Sequence, residues 1–197
     1  MPERSAFGVT DERCSSGIEG LDDVLAGGMP RACFYLVQGD PGSGKTTLAL
    51  QFLLEGKRRG ERVFYITLSE TNAELQRVAH SHGWSLDGIS VRELMPTEEI
   101  LQHSEQYTMF HPSEVELSEA TKRILSDVEE LKPARIVLDS LSELQLLTGN
   151  PLRYRRQMLA LKQFFGGRRC TVLLLDDLTI TERNLQVQSI AHGVVRL

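Results

Sequence analysis

Residues 39–46 read Gly-Asp-Pro-Gly-Ser-Gly-Lys-Thr, and this short segment constrains the fold more than any other part of the chain. It matches the pattern G-x-x-x-x-G-K-[ST] at Gly39, Gly44, Lys45 and Thr46. Glycines let backbone N–H groups point inward around an anion, in conformations that larger residues rarely adopt. An apolar run precedes the segment and a helical pattern follows it, as a phosphate-binding loop requires. The motif therefore predicts such a loop within an α/β fold, and an inert glycine turn is the weaker alternative.

The side chains of the loop indicate the ligand. Lys45 supplies a positive charge for terminal phosphates, and the Thr46 hydroxyl is a ligand for Mg²⁺. The amino end of the following helix adds its partial positive charge. We therefore expect ATP and Mg²⁺ as cofactors. The expected contact residues are Asp40, Pro41, Gly42, Ser43, Gly44, Lys45, Thr46 and Thr47.

Four short apolar runs predict the strands of the core, at residues 33–37, 63–68, 136–138 and 171–175. Their apolar residues are nearly continuous, without the alternation of a strand that has one solvated face. This pattern is typical of a parallel sheet covered by helices on both faces. The fold class is therefore α/β, with a mostly parallel sheet.

Helical patterns lie between these runs. Residues 45–59 predict a helix that ends in cations before a glycine, and Thr71 to Glu74 has capping-box spacing for a helix running to about residue 80. Another helix is expected from residue 118 to just before Pro133, and the last one places apolar residues on one face at helical spacing. Residues 88–117 are polar and irregular, which predicts an insertion or long loop. We expect one domain over residues 1–197.

Acidic residues after the apolar runs are candidates for chemistry. Asp139 follows a buried strand and is the candidate second ligand for Mg²⁺, although a carboxylate there could instead cap the next helix. Glu70 is the candidate that orients or deprotonates water, or alternatively a favourable charge at a helix start. Asp176 and Asp177 are weaker candidates for sensing phosphate, and they could merely end the strand.

Composition limits the other function classes. The net charge of -5 argues against nucleic acid as a partner, and the basic cluster of Arg153, Arg155 and Arg156 is interpreted as a solvated helix face. No apolar run is long enough for a membrane span, so we expect a cytoplasmic protein without membrane contact. The cysteines, which are three in number, predict reduced thiols. The histidines show no spacing typical of zinc ligands.

Several segments beyond the loop carry a family resemblance. Residues 16–30, which lead into the loop, resemble the corresponding segment of RecA-superfamily ATPases, and among them the KaiC family most closely. Further similarity is found at residues 66–71, 82–86, 135–142 and 190–197. The resemblance implies a RecA-like core, ATP with Mg²⁺, and a homo-oligomer, commonly a hexameric ring, with nucleotide held between subunits.

Two departures from the family pattern affect the expected activity. Well-understood members carry two adjacent glutamates after the second strand, the first being the favoured water activator, whereas this chain has Ser69 and Glu70. The resemblance therefore implies slow hydrolysis, with Glu70 and Lys45 as the catalytic candidates. The family core also continues beyond residues 194–197, so we expect the chain to be a fragment lacking the C-terminal strands. Residues 188–189 read Gln-Ser where clock members have a phosphorylated Ser-Thr pair, which argues against autokinase activity.

These features favour one function over two alternatives. The preferred interpretation is a weakly hydrolysing regulatory ATPase that signals through nucleotide-dependent oligomerisation and through an unidentified protein partner. A non-catalytic nucleotide-sensing module is the first alternative, and a recombinase-like DNA-dependent ATPase is the second.

Overall fold

A computed structural model of the protein describes residues 12–94, 112–148, 150–178 and 188–197. The strands within these residues are β1 (Arg13–Cys14), β2 (Met29–Pro30), β3 (Phe34–Gly39), β4 (Val63–Thr67), β5 (Ser90–Glu93), β6 (Arg135–Asp139), β7 (Thr171–Asp177) and β8 (Gly193–Arg196). The helices are α1 (Glu19–Val24), α2 (Lys45–Arg58), α3 (Asn72–Ser81), α4 (Pro112–Leu131), α5 (Leu141–Thr148) and α6 (Pro151–Gly166).

The core of the molecule is a parallel sheet with the strand order β5-β4-β6-β7-β3-β8. Strands β3, β4 and β6 are buried at every residue. Their continuous apolar sequences follow from this burial, because each strand has a helical layer on both faces. A separate antiparallel pair is formed by β1 and β2. The predicted fold class, a parallel sheet between two helical layers, is confirmed.

Two apolar cores lie on opposite faces of this sheet. One contains residues of α2 and α3 together with Tyr65 and Val137. The other contains residues of α4, α5 and α6 together with Phe64 and Ile136. Neighbouring strand residues thus point alternately into the two cores, as a pleated strand requires. The phosphate-binding loop belongs to the face that carries α2.

The structure extends or corrects several predicted elements. Strands β3, β6 and β7 run one to two residues past the apolar runs that predicted them, ending in polar residues at Gly39, Asp139 and Asp177. The interpretation of residues 88–117 as an irregular insertion is wrong at both ends, because β5 and the start of α4 lie inside this range. Residues 95–111 lie outside the described part of the chain.

These misses have physical reasons. Strand β5 is an edge strand whose four residues are all partly or fully exposed, so it has no apolar signature. Helix α4 begins at Pro112 instead of residue 118, and proline is common at the first helical position. A helix after Asp139 was considered only as the one that this residue could cap, and its bounds were not predicted. The eight residues of α5 directly follow a strand without a separating turn signal.

The register of the sheet brings the polar strand ends together. Gln38 pairs with Asp176, Gly39 with Asp177, and Thr67 with Asp139. All strands of the sheet are parallel, so these positions share its carboxyl edge, where α/β proteins bind ligands. Among the described residues, no helix has the length and apolarity that crossing a membrane requires.

Candidate functional site

The phosphate-binding loop connects β3 to α2 with two residues in the left-handed region. Gly42 has a φ of 81° and Gly44 a φ of 97°. Residues that carry a Cβ rarely adopt such angles, which explains the glycines of the motif. A Cβ at either position would meet nothing within 4 Å, and residues 40–43 are exposed. The loop is therefore open to a ligand on its outer side.

The amino end of α2 has no side-chain cap within the part of the chain that the structure describes. Gly44 is the N-cap residue, without a side-chain hydrogen bond, and the first turn contains no acidic residue. The other long helices differ: α3 is capped by Thr71 and Glu74, and α6 by the Asn150 side chain. An uncapped helix end behind a glycine loop leaves donors and partial positive charge available for an anion. This feature fits the predicted phosphate ligand.

Lys45 is buried beneath the loop and is held by three oxygen atoms. Its Nζ donates to the carbonyl oxygens of Gly39 and Asp40, both at 2.9 Å, and lies 2.8 Å from Oδ1 of Asp177. The side chain of Lys45 is 10% exposed and that of Asp177 31% exposed. The structure thus brings Asp177, a weak candidate from the sequence, into direct contact with the lysine of the motif.

Asp139 lies at the end of β6, and its carboxylate is buried. Its Oδ2 accepts a hydrogen bond of 2.6 Å from the hydroxyl of Tyr65 on the neighbouring strand β4. Burial raises the pKa of Asp139 from its usual value, while the bond from Tyr65 opposes this rise. Burial, together with the charge of Asp139, also raises the pKa of Tyr65 well above its usual value. The bond from Tyr65 occupies one oxygen of Asp139, and the assignment of this carboxylate to Mg²⁺ instead of helix capping stays a prediction.

Glu70 faces the loop from the end of β4. Its Oε1 accepts a 3.5 Å hydrogen bond from the Thr46 hydroxyl, whereas its buried Oε2 has no hydrogen-bond partner among the described residues. Burial raises the pKa of Glu70, and the charges of Asp139 and Glu74 add to this rise. The backbone N–H and carbonyl of Glu70 are both bonded to the hydroxyl of Thr67, at 2.8 and 2.7 Å.

The surroundings of Glu70 bear on its two interpretations, as a group that activates water and as a favourable charge at a helix start. The N-terminus of α3 is capped by Thr71 and Glu74, so Glu70 is not required there. Its carboxylate lies instead next to Thr46. The unsatisfied Oε2 is costly in a protein interior unless a ligand or water reaches it.

Asp176 has a different environment from its neighbour. It is buried, accepts hydrogen bonds from Gln38 at 3.3 Å and from Ser142 at 3.1 Å, and burial raises its pKa. Gln38 in turn accepts a 2.8 Å bond from Gln188. Asp176 therefore links β3, β7 and α5, and of the two aspartates only Asp177 contacts the loop lysine.

The oxygen donors at this edge fit Mg²⁺ brought by a nucleotide. The Thr46 hydroxyl and the Asp139 carboxylate are hard oxygen ligands, and Mg²⁺ is usually bound by one or two protein groups plus substrate phosphates. Consistent with this, the described residues contain no cluster of three or more histidine, cysteine or acidic groups that could hold a metal alone. The residues present thus fit a metal that enters with phosphates.

A cavity elsewhere in the molecule is unrelated to this arrangement. It has a volume of about 400 Å³ and is lined by Val128, Glu129, Lys132, Arg168 and Cys170. These residues lie near the end of α4 and the start of β7, at the opposite edge of the sheet from the loop.

Sequence reasoning missed two contributors to the site. Tyr65 was part of a predicted apolar strand, and an aromatic residue in a buried strand is normally interpreted as core. Gln38 is also fully buried. Gln38 could have been identified as a polar residue at the end of an apolar strand. The sequence contains no comparable signal for Tyr65.

Three comparisons with known proteins agree on the same kind of relative. The family model described as "ATPase: KaiC" matches residues 14–197. The UPF0273 protein of Thermotoga maritima is 29% identical over 191 residues, which cover 93% of this chain and 77% of that protein. The circadian clock oscillator protein KaiC of a Picosynechococcus strain is 37% identical over 145 residues, covering 73% of this chain but 26% of that protein. A solved structure, the KaiC-like protein of Pyrococcus horikoshii, matches with a TM-score of 0.75 and 25% identity, covering 94% of this chain and 80% of that one.

The parallel sheet, the glycine loop and the uncapped helix behind it define a P-loop ATPase domain with a RecA-like core. Membership of this class implies that a nucleotide, usually with Mg²⁺, binds at the loop. The family model extends over nearly the whole chain, and the chain belongs to the KaiC family of ATPases.

Proposed function

We propose that this chain binds Mg²⁺-ATP at the loop and hydrolyses it slowly, as a regulatory ATPase of the cytoplasm. In this proposal the bound nucleotide controls assembly with further copies of the chain and contact with a partner protein. The observation that carries it is the uncapped amino end of α2 next to the buried ammonium group of Lys45. Together they place backbone donors and a positive charge at one position, which favours an anionic ligand there.

Binding would use the backbone of the loop and three side chains. The N–H groups of residues 42–47 surround the phosphates, and Lys45 exchanges Asp177 for phosphate oxygen. Thr46 and Asp139 would hold Mg²⁺, which when bound supplies positive charge that stabilises the charge developing on the terminal phosphate.

Hydrolysis would depend on Glu70. Its partly buried carboxylate, with one unsatisfied oxygen, can accept a hydrogen bond from a water molecule and then its proton. The raised pKa of Glu70 makes this carboxylate a stronger base than an ordinary glutamate. Ser69, which occupies the place of the favoured glutamate in the family, is exposed and has no basic group. This difference is our reason for proposing slow turnover.

The binding part of the proposal is tested with Lys45→Ala. We expect the Kd for Mg²⁺-ATP, measured by isothermal titration calorimetry, to rise at least about tenfold, because a charge-assisted contact to phosphate is lost. Lys57→Ala is the matched control, since it removes an exposed cation from the other end of the same helix. Equal Kd values for Lys45→Ala and the wild type would show the proposal to be wrong.

The catalytic part of the proposal is tested with Glu70→Gln, and the regulatory part with the mass of the wild type in solution. We expect this variant to bind Mg²⁺-ATP like the wild type and to release phosphate at least about tenfold more slowly, because the base is lost. Light scattering in parallel should show a larger mass of the wild type with Mg²⁺-ATP than without nucleotide. Tight binding without any wild-type turnover would favour the non-catalytic sensor, for which the absence of a glutamate at Ser69 is the specific observation.

A further inference from the structure

We infer that Tyr65 is a positioning residue for the metal-binding carboxylate, and that its hydroxyl fixes Asp139 so that one oxygen remains directed to Mg²⁺. The inference rests on the proposed Mg²⁺-nucleotide binding. Tyr65 belongs to a central strand and was not predicted to have any role at the site.

The sheet register places the tyrosine where it can reach the carboxylate. Tyr65 pairs with Val137, and Thr67, two residues further along β4, pairs with Asp139. Tyr65 and Val137 belong to the core under α2. Asp139 is two residues beyond Val137 and so points to the same face. The tyrosine side chain runs along the strand towards the carboxyl edge, and its hydroxyl lies 2.6 Å from Oδ2 of Asp139.

The hydrogen bond between Tyr65 and Asp139 is shielded from water. Tyr65 is 0% exposed and Asp139 is 6% exposed, so water competes little for either group. In the part of the chain that the structure describes, the Tyr65 hydroxyl is the one side-chain donor bonded to this carboxylate. A buried phenol without a partner is unfavourable, and phenylalanine would fill the same apolar space. Tyrosine at this position therefore provides a hydrogen-bond donor in addition to packing.

The consequence concerns the orientation of Asp139. A carboxylate at a strand end can rotate, and only some orientations direct an oxygen towards the metal. The bond to Oδ2 selects one orientation and leaves Oδ1 for Mg²⁺ or its water ligands. Groups that hold metal ligands in this way typically change metal affinity by about 10–100-fold. The Tyr65 hydroxyl also interacts with the Thr46 side chain. We attribute its main effect to the 2.6 Å bond with Asp139, and Tyr65 would have no contact with phosphate.

The variant Tyr65→Phe tests this role without requiring turnover. The Kd for ATP is measured by calorimetry in excess Mg²⁺ and again in chelator. The Kd in chelator divided by the Kd in Mg²⁺ is the ratio that gives the contribution of the metal. We expect the Kd in chelator to stay near that of the wild type and the ratio to fall about tenfold. A general packing defect would weaken binding under both conditions.

The matched control is Tyr35→Phe. Tyr35 lies on β3 under the same core, and its hydroxyl donates to the carbonyl of Pro30 at 2.8 Å, away from the metal ligands. This variant should retain the wild-type ratio.

A double-variant comparison tests whether Tyr65 acts through Asp139. We compare Asp139→Asn with the double variant that also carries Tyr65→Phe. If Tyr65 acts through Asp139, both have the same low ratio, whereas a further loss in the double variant would overturn the inference. A wild-type ratio retained in Tyr65→Phe would also overturn it. A wild type whose ATP affinity does not depend on Mg²⁺ would instead refute the proposed metal binding itself.

Discussion

Lys45 is the residue on which nucleotide binding depends, and its present contacts are made with the protein itself. The ammonium group is bonded to two loop carbonyls and paired with Asp177. Phosphate must compete with the Asp177 carboxylate for this charge. The pair is partly exposed, so its stabilising effect is small, up to about 1 kcal/mol.

The substitution Asp177→Asn tests this competition. We expect the Kd for Mg²⁺-ATP to decrease by up to about fivefold, because the variant removes the competing negative charge. Calorimetry at low ionic strength measures the effect, and added salt should reduce it. Asp87→Asn is the control, as it removes an equal charge from an exposed residue bonded to Ser85. Weaker binding by Asp177→Asn would mean that Asp177 assists the nucleotide.

The site also shows which residues a sequence can reveal. The loop residues were predictable, because their backbone angles and charges require specific residue types in a fixed order. Asp139 and Glu70 could be proposed because each follows a buried strand. Tyr65 could not be predicted, because its hydroxyl acquires a partner only when β4 and β6 pair in one register.

Helix α2 is attached to the sheet by a buried arginine. Arg135, at the start of β6, is 0% exposed and donates to Glu61 and to the carbonyl oxygens of Ser15 and Phe52. Its guanidinium also lies 4.8 Å from the centroid of the Phe52 ring. The arginine therefore connects β6 to the segment before α1, to helix α2 and to the turn between α2 and β4. Gly56 of α2 lies against it.

The substitution Gly56→Ala tests how rigid this contact is. A Cβ at Gly56 would lie 2.6 Å from Cδ of Arg135 and 2.8 Å from Cγ1 of Val63. Arg135 cannot move without breaking buried hydrogen bonds, so we expect the free energy of unfolding to fall by about 1–3 kcal/mol. Denaturant titration measures it. Gly166→Ala, at a helical glycine with nothing within 4 Å, should be neutral or stabilising. Equal stability of the two variants would contradict the expected packing.

Helices and strands were predicted correctly where their signal lies in neighbouring residues of the sequence. Buried strands and helix α3 were recognised from apolar runs and from the capping box, which the structure confirms. The edge strand β5 and the pair β1 and β2 were missed. Their residues take a strand conformation because a neighbour offers hydrogen bonds, which composition does not encode.

At the scale of the whole molecule, charge limits the partners. The net charge is -5, and the basic cluster on α6 is partly engaged, since Arg155 donates to Ser189 at 3.2 Å. Arg153 and Arg156 are exposed, but two exposed cations neutralise little phosphate. RecA-like folds serve many functions, so the fold alone does not favour DNA as a ligand.

Single-stranded DNA should therefore neither bind appreciably nor stimulate hydrolysis. Non-specific binders usually reach a Kd of about 10⁻⁴–10⁻⁶ M, and their affinity rises steeply between about 200 mM and about 50 mM salt. We expect fluorescence anisotropy of a labelled oligothymidylate to show no such salt-dependent binding, and phosphate release to be the same with and without DNA. Binding that tightens at low salt and is lost in the double variant Arg153→Ala with Arg156→Ala would contradict this expectation. It would also place a nucleic-acid surface on α6, and the recombinase-like function would then explain the chain better than a regulatory ATPase does.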